Sequence, residues 1–141
     1  MEGRRLYIFT AAQIVGIMAL FWISFTRPGT WNIQRYVGSI LTVVGAAFLG
    51  VSRYELGKSF SIRPEARQLI THGIYSRIRN PIYVFGAVMI VGLILVLQTP
   101  ILWIGLVAVV IIQTIRARQE ARVLEAKFGE AYREYRRRTW F

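Results

Sequence analysis

Between two apolar runs lies Gly73-Ile74-Tyr75-Ser76-Arg77-Ile78-Arg79-Asn80-Pro81-Ile82-Tyr83, a cluster of tyrosines, arginines and one amide where polar groups are costly to keep. Farther along, Arg116 and Glu120 stand four residues apart and so share one face of a helix. A guanidinium placed there can orient and partly neutralise an anionic group, and a carboxylate accepts hydrogen bonds from amino or hydroxyl groups. A plain surface ion pair, contributing about 0–1 kcal/mol, is the alternative that spacing alone leaves open. The chain has no cysteine, which excludes disulfides, thiolate metal sites and cysteine nucleophiles. Its single histidine, His72, argues against a histidine-built metal site, so no metal is expected. His72 has the chemistry of a general base; we read it as a solvated loop residue.

The elements that must position these groups follow from composition. At 55% hydrophobic over 141 residues and a mean hydropathy of +0.43, the chain is too apolar for a small soluble domain. Leu6–Phe25, Tyr36–Ser52, Ile82–Gln98 and Ile101–Ile115 carry no Lys, Arg, Asp or Glu. Their lengths, about 15 to 20 residues, compare with the roughly 17–25 needed to cross a hydrocarbon core. The fourth lengthens if its helix continues through Arg116 and Arg118, whose side chains can snorkel to the interface. The expectation is an all-α membrane protein with four spans, about 6–25, 36–52, 82–98 and 101–116, and an amphipathic helix over 117–138. All of it forms one domain, residues 1–141, without an internal repeat. The long apolar run after Arg4-Arg5 lacks a small-residue cleavage site and does not read as a cleaved leader.

The net charge of +11 is distributed by face. Arg4 and Arg5 precede the first span, Arg53 to Arg79 lie between the second and third, and Arg116 to Arg138 follow the fourth. Only Arg27 and Arg35 fall on the other side. This is the positive-inside pattern, with both termini cytoplasmic, and it accounts for the charge through membrane lipids rather than nucleic acid. The compact size fits a bacterial inner membrane.

Arg27-Pro28-Gly29-Thr30 closes the first hairpin. Gln98-Thr99-Pro100 closes the second so tightly that spans three and four should pack as an antiparallel pair along their length. Gly38, Gly45, Gly50, Gly86 and Gly92 would allow close helix approach. Asn80 can N-cap span three, with Pro81 preset for its first position. The tight second hairpin then forces Asn80–Tyr83 close to Arg116–Glu120. Val123, Leu124, Phe128, Tyr132 and Tyr135 form an apolar stripe on a basic helix, expected at the membrane surface and broken at Gly129. Tyr7, Trp31 and Tyr36 sit where interfacial aromatic anchors belong.

The ordered set Leu69-Ile70-Thr71-His72-Gly73-Ile74-Tyr75, Arg79-Asn80-Pro81-Ile82-Tyr83, Arg116-Ala117-Arg118-Gln119-Glu120, Leu124, Phe128-Gly129, Tyr132 and Tyr135 resembles a known pattern. It is similar to that of the isoprenylcysteine carboxyl methyltransferase family and its phospholipid N-methyltransferase relatives, over about half the chain. The resemblance implies S-adenosylmethionine as cofactor, bound at the cytoplasmic ends of the last two spans. It implies that Arg67, Gln68, Leu69 and Ile70 line the cofactor and that Tyr75 packs on it. Asn80, Pro81, Ile82 and Tyr83 would hold it, Glu120 would accept from its amino or hydroxyl groups, and Arg116 would face the methyl acceptor. Two positions depart from the pattern: Asn80 replaces the family histidine, and Ala121 replaces a second acidic residue. An amide keeps hydrogen bonding but cannot carry a proton.

The function so implied is methylation of a lipophilic or lipidated acceptor, with carboxyl O-methylation of an isoprenylcysteine-like substrate taken first. A carboxylate acceptor needs no base, whereas an amine or thiol must lose a proton. Phospholipid N-methylation and thiol S-methylation are the alternatives within the family. A non-enzymatic membrane protein that binds anionic lipid or a partner is the alternative outside it.

Overall fold

The computed structural model describes residues 2–56 and 71–141. Arg67, Gln68, Leu69 and Ile70, expected along the cofactor, lie outside those residues, as does the Tyr7 side chain. The described chain is helical: α1 Glu2–Thr26, α2 Ile33–Leu56, a short 3-10 turn Gly73–Ser76, α3 Pro81–Leu97, α4 Leu102–Phe128 and α5 Glu130–Arg138. Each expected apolar segment falls on one of the first four helices. Among the described residues, two helices are long and apolar enough to cross a membrane, Ile33–Glu55 and Leu102–Phe128, while Ile14–Thr26 and Pro81–Leu97 are shorter apolar stretches.

The tightest helix pair is α2 with α3, because glycines let their backbones approach. A Cβ on Gly38 would stand 2.7 Å from the Gly92 carbonyl oxygen, and one on Gly45 would stand 2.6 Å from the Met89 nitrogen. One on Gly92 would meet Thr42 at 2.5 Å. Phe48 and Phe85 continue the ladder with stacked rings 4.9 Å apart. The register runs 38, 42, 45, 48 against 95, 92, 89, 85, so the two helices are antiparallel. Where apolar solvent removes the hydrophobic drive between helices, backbone proximity of this kind supplies dispersion contacts instead.

This corrects the expected pairing. A short connection does join α3 to α4, but the two do not pack along their length, and most of α4 is exposed. The face α4 turns toward α3 offers Ala117 as its one buried residue, whereas α2 offers two close-packing glycines. Gly50 and Gly86 also differ from expectation: a Cβ at Gly50 would meet nothing within 4 Å, and one at Gly86 would meet only the Gln113 amide.

Arg35 explains the first hairpin. Its side chain is 4% exposed and donates to the carbonyls of Ser24 at 3.0 Å, Arg27 at 2.9 Å and Gly29 at 3.3 Å. Those include terminal acceptors of α1 that the helix itself leaves unpaired. The guanidinium also stacks 4.3 Å over Trp31, which packs on Phe25 and Tyr36. The Arg35 cation is therefore consumed in closing a turn. Asn32 N-caps α2 by accepting from the Arg35 amide at 2.9 Å, and the same oxygen accepts from Gln98 at the end of α3.

Candidate functional site

α3 begins as the sequence suggests, with Pro81 in its first turn and fully buried. Asn80 precedes it, and its carbonyl accepts from the amides of Tyr83 and Val84. Its side chain makes no cap. The Asn80 side-chain Nδ2 instead donates to the Phe141 carbonyl at 3.1 Å, as one strand of a larger clamp. The Trp140 amide donates to the Arg77 carbonyl at 2.7 Å, the Arg79 amide to the Trp140 carbonyl at 3.0 Å, and the Asn80 amide to the Phe141 carbonyl at 2.9 Å. Ile78 and Trp140 thus form a short parallel β-bridge. The arginine-rich turn before α3 is tied down by backbone bonds to residues some sixty positions away. No pattern in the sequence announces this, since backbone donors carry no side-chain signature.

The turn holding Tyr75 is fixed from two further directions. From α2, the Glu55 carboxylate accepts the Ile74 amide at 2.8 Å. It lies so close to Gly73 that a Cβ there would fall inside the carboxylate. Gly73 also has φ of +61°, in the left-handed region that favours glycine. From α5, the Tyr135 hydroxyl donates to the Tyr75 carbonyl at 2.6 Å. Tyr75 is 6% exposed, and Tyr132 and Tyr135 are 3% and 4% exposed. The tyrosine side of α5 therefore packs on the chain itself, whereas the expected stripe was assigned to a membrane surface. Gly129, at φ of +55°, makes the break that the sequence indicates.

The two motif segments do meet. The Tyr83 hydroxyl donates to Glu120 Oε1 at 2.5 Å, and Arg116 lies close enough to act electrostatically on the same phenol. Glu120 therefore pairs with a tyrosine, and among the described residues no Arg116–Glu120 ion pair forms. Burial first, then Tyr135 and the carboxylates of Glu55 and Glu120, push the Tyr75 phenol far above its usual range. It stays protonated at any physiological pH. Burial, with Tyr132 adding and Arg79 opposing, pushes Tyr135 up to about 12. The Arg79 Nε is buried without a partner in the described chain. Ile82 is half-buried beside Pro81, Arg116 and His72 are exposed, and Ala121 is half-buried. Glu55 is the residue that the sequence reading missed. Its only signal was a carboxylate at the end of an apolar run. Among the described residues no cluster of His, Asp and Glu able to hold a metal ion occurs.

The assembled site is thus a carboxylate bonded to a tyrosine, a guanidinium at its edge and a buried tyrosine turn, gathered where the start of α3 meets the second half of α4. A family model described as phospholipid methyltransferase matches residues 33–131, well over half of the chain. The chain belongs to the phospholipid methyltransferase family. That family is related to the isoprenylcysteine carboxyl methyltransferases, so the motif resemblance and the family match agree. No curated protein matches the chain. The match begins at the first residue of α2 and ends in the first turn of α5, so it spans the tight helix pair and both halves of the site, and leaves out α1. With the family known, the apolar helices belong to a membrane protein, and the site belongs to a methyltransferase of a family that generally uses S-adenosylmethionine.

Proposed function

We propose that this protein crosses the membrane four times, with α1 to α4 as spans and both termini cytoplasmic. It transfers a methyl group from S-adenosylmethionine to a lipid acceptor that enters from the bilayer beside α4. The observation that carries the reading is the Tyr83–Glu120 hydrogen bond, which joins the two motif segments in one site. The residues fit such a cofactor. Glu120 has a second oxygen with no hydrogen bond among the described residues, and it suits the cofactor's ammonium or ribose hydroxyls. The ring face of the half-buried Tyr83 suits a sulfonium cation.

When bound, the cofactor supplies a methyl group that forms a bond to the acceptor atom as its carbon–sulfur bond breaks, the electron pair remaining on sulfur. The chain's part is to position the reactants for an in-line displacement. Tyr83 orients Glu120 toward the donor. Asn80, Pro81 and Ile82 form the wall at the start of α3, and Arg67, Gln68, Leu69 and Ile70 supply the rest of the donor's surroundings. Arg116, exposed at the mouth, orients the acceptor through its phosphate or carboxylate.

The family description favours an amine-bearing glycerophospholipid, whose proton leaves to the open mouth of the site. Arg116, and a site short of neutral bases, favour the second reading, an isoprenylcysteine-like carboxylate. Radiolabelled methyl donor, offered with each acceptor class to the purified protein, separates the two. The donor site is tested by thermal unfolding in detergent. S-adenosylhomocysteine at about 100 times its Kd should stabilise the protein by roughly 2.7 kcal/mol. Glu120→Ala should abolish this, and Arg116→Ala should keep it while losing turnover. An unchanged ligand affinity in Glu120→Ala refutes the assignment.

A further inference from the structure

Gln113 is the sole side-chain amide in the apolar part of α4, between Leu102 and Ile115. Its neighbour Thr114 satisfies its own hydroxyl by donating to the Val110 carbonyl at 2.7 Å. Gln113 makes no hydrogen bond among the described residues. Its Nε2 is the one atom within 4 Å of the place where a Gly86 side chain would begin, at 3.9 Å. The amide therefore lies between α3 and α4, beside the buried backbone of Gly86. An amide left without a hydrogen bond in an apolar surrounding is destabilising, and a leucine there would carry no such cost. Polar groups kept at such depth mark a ligand path by default.

Helical periodicity places Gln113, Arg116 and Glu120 within one face of α4. Along the axis Gln113 lies about 4.5 Å beyond Arg116 and about 10 Å beyond Glu120, on the side away from the site mouth. The headgroup layer on each side of a bilayer is roughly 5–7 Å thick. With Arg116 at the level of a lipid phosphate, Gln113 reaches the boundary where acyl ester carbonyls sit. An ester carbonyl accepts and never donates, so it matches the Nε2 donor.

We propose that Gln113 donates from Nε2 to an acyl ester carbonyl of a glycerophospholipid whose phosphate is held by Arg116, and so selects diacyl lipids. The inference rests on the lipid-acceptor reading above and adds a specificity-determining residue to it.

The test compares dioleoyl phosphatidylethanolamine with its dioleyl ether analogue, which differs in lacking both ester carbonyls. The two lipids are mixed in equal amounts in nanodiscs with the protein, and native mass spectrometry measures which one the extracted protein retains. Wild type should retain the diester about fivefold over the diether, the value of one hydrogen bond. Gln113→Met, of similar volume, should bring that ratio to about one. Should that variant not fold, Gly86→Ala, which places a methyl against the amide in ordinary contact, should lower the ratio instead. Equal retention by wild type, or an undiminished preference in the variant that folds, overturns the inference. Methyl incorporation into the diester lipid is measured in parallel. Ester preference without incorporation supports the lipid contact and counts against the enzymatic reading. Incorporation without ester preference does the reverse.

Discussion

Replacing Gly73 with alanine tests the packing of the site most directly. Two separate effects act at this position. An alanine held at φ of +61° sits in the left-handed region at a cost of about 1–2 kcal/mol. Its Cβ would also occupy the Glu55 carboxylate, which must swing away from the Ile74 amide it accepts at 2.8 Å. A hydrogen bond to a charged group contributes about 1.5–3 kcal/mol, and the half-buried Ile74 amide recovers part of that from water. The expected destabilisation is therefore about 3 kcal/mol, read from denaturant or thermal unfolding in detergent. A double-mutant cycle separates the two effects. In the Glu55→Ala background the bond is already gone and the clash is relieved, so Gly73→Ala retains only its backbone strain. The two substitutions should fall short of additivity by about 1–2 kcal/mol, the part of the bond that water does not restore. Strict additivity would show that the carboxylate does not occupy the space beside Gly73, and the argument for Glu55 as the anchor of the Tyr75 turn would fail.

Gly92→Ala should separate α2 from α3, since its Cβ would meet the Thr42 backbone nitrogen at 2.5 Å and the Gly38 carbonyl at 2.6 Å. Backbone cannot yield as a flexible side chain does, so a loss at or above the usual 1–3 kcal/mol of overpacking is expected. Gly50→Ala, with nothing within 4 Å, should be neutral or slightly stabilising in the same melt. Tyr135 gives a pH signature. Its folded pKa is raised to about 12 from an ordinary value near 10, so the stability it contributes is whole below about pH 10 and is lost as pH rises toward 12. Tyr135→Phe removes the 2.6 Å bond to the Tyr75 carbonyl. It should lower stability at pH 8 by about 1 kcal/mol and flatten the fall between pH 10 and 12. An unaltered alkaline slope in that variant would assign the titration to another group.

Much of this protein was legible in its sequence, and for a definite reason. Uncharged apolar runs, bounded by Arg27-Pro28-Gly29 and Gln98-Thr99-Pro100, dictate helices and their ends through solvation and backbone sterics alone, and α1 to α4 fall where those runs fall. Pro81 opens α3 because its fixed φ suits the first helical turn, and Gly129 breaks α4 from α5 because it can adopt a positive φ. The proximity of Tyr83 and Glu120 also followed, since a minimal connection between two helices brings their far ends together. Partner choice did not follow. That α3 packs on α2 and leaves α4 largely exposed depends on which glycines face each other, and a periodic pattern gives the presence of small residues but not their register. The Glu55 anchor, the Tyr135 bond to the Tyr75 carbonyl and the clamp from Trp140 and Phe141 were likewise decided only in three dimensions. Each joins a backbone group to a residue from a distant part of the chain, and backbone donors and acceptors look the same at every position until the fold brings one of them into reach.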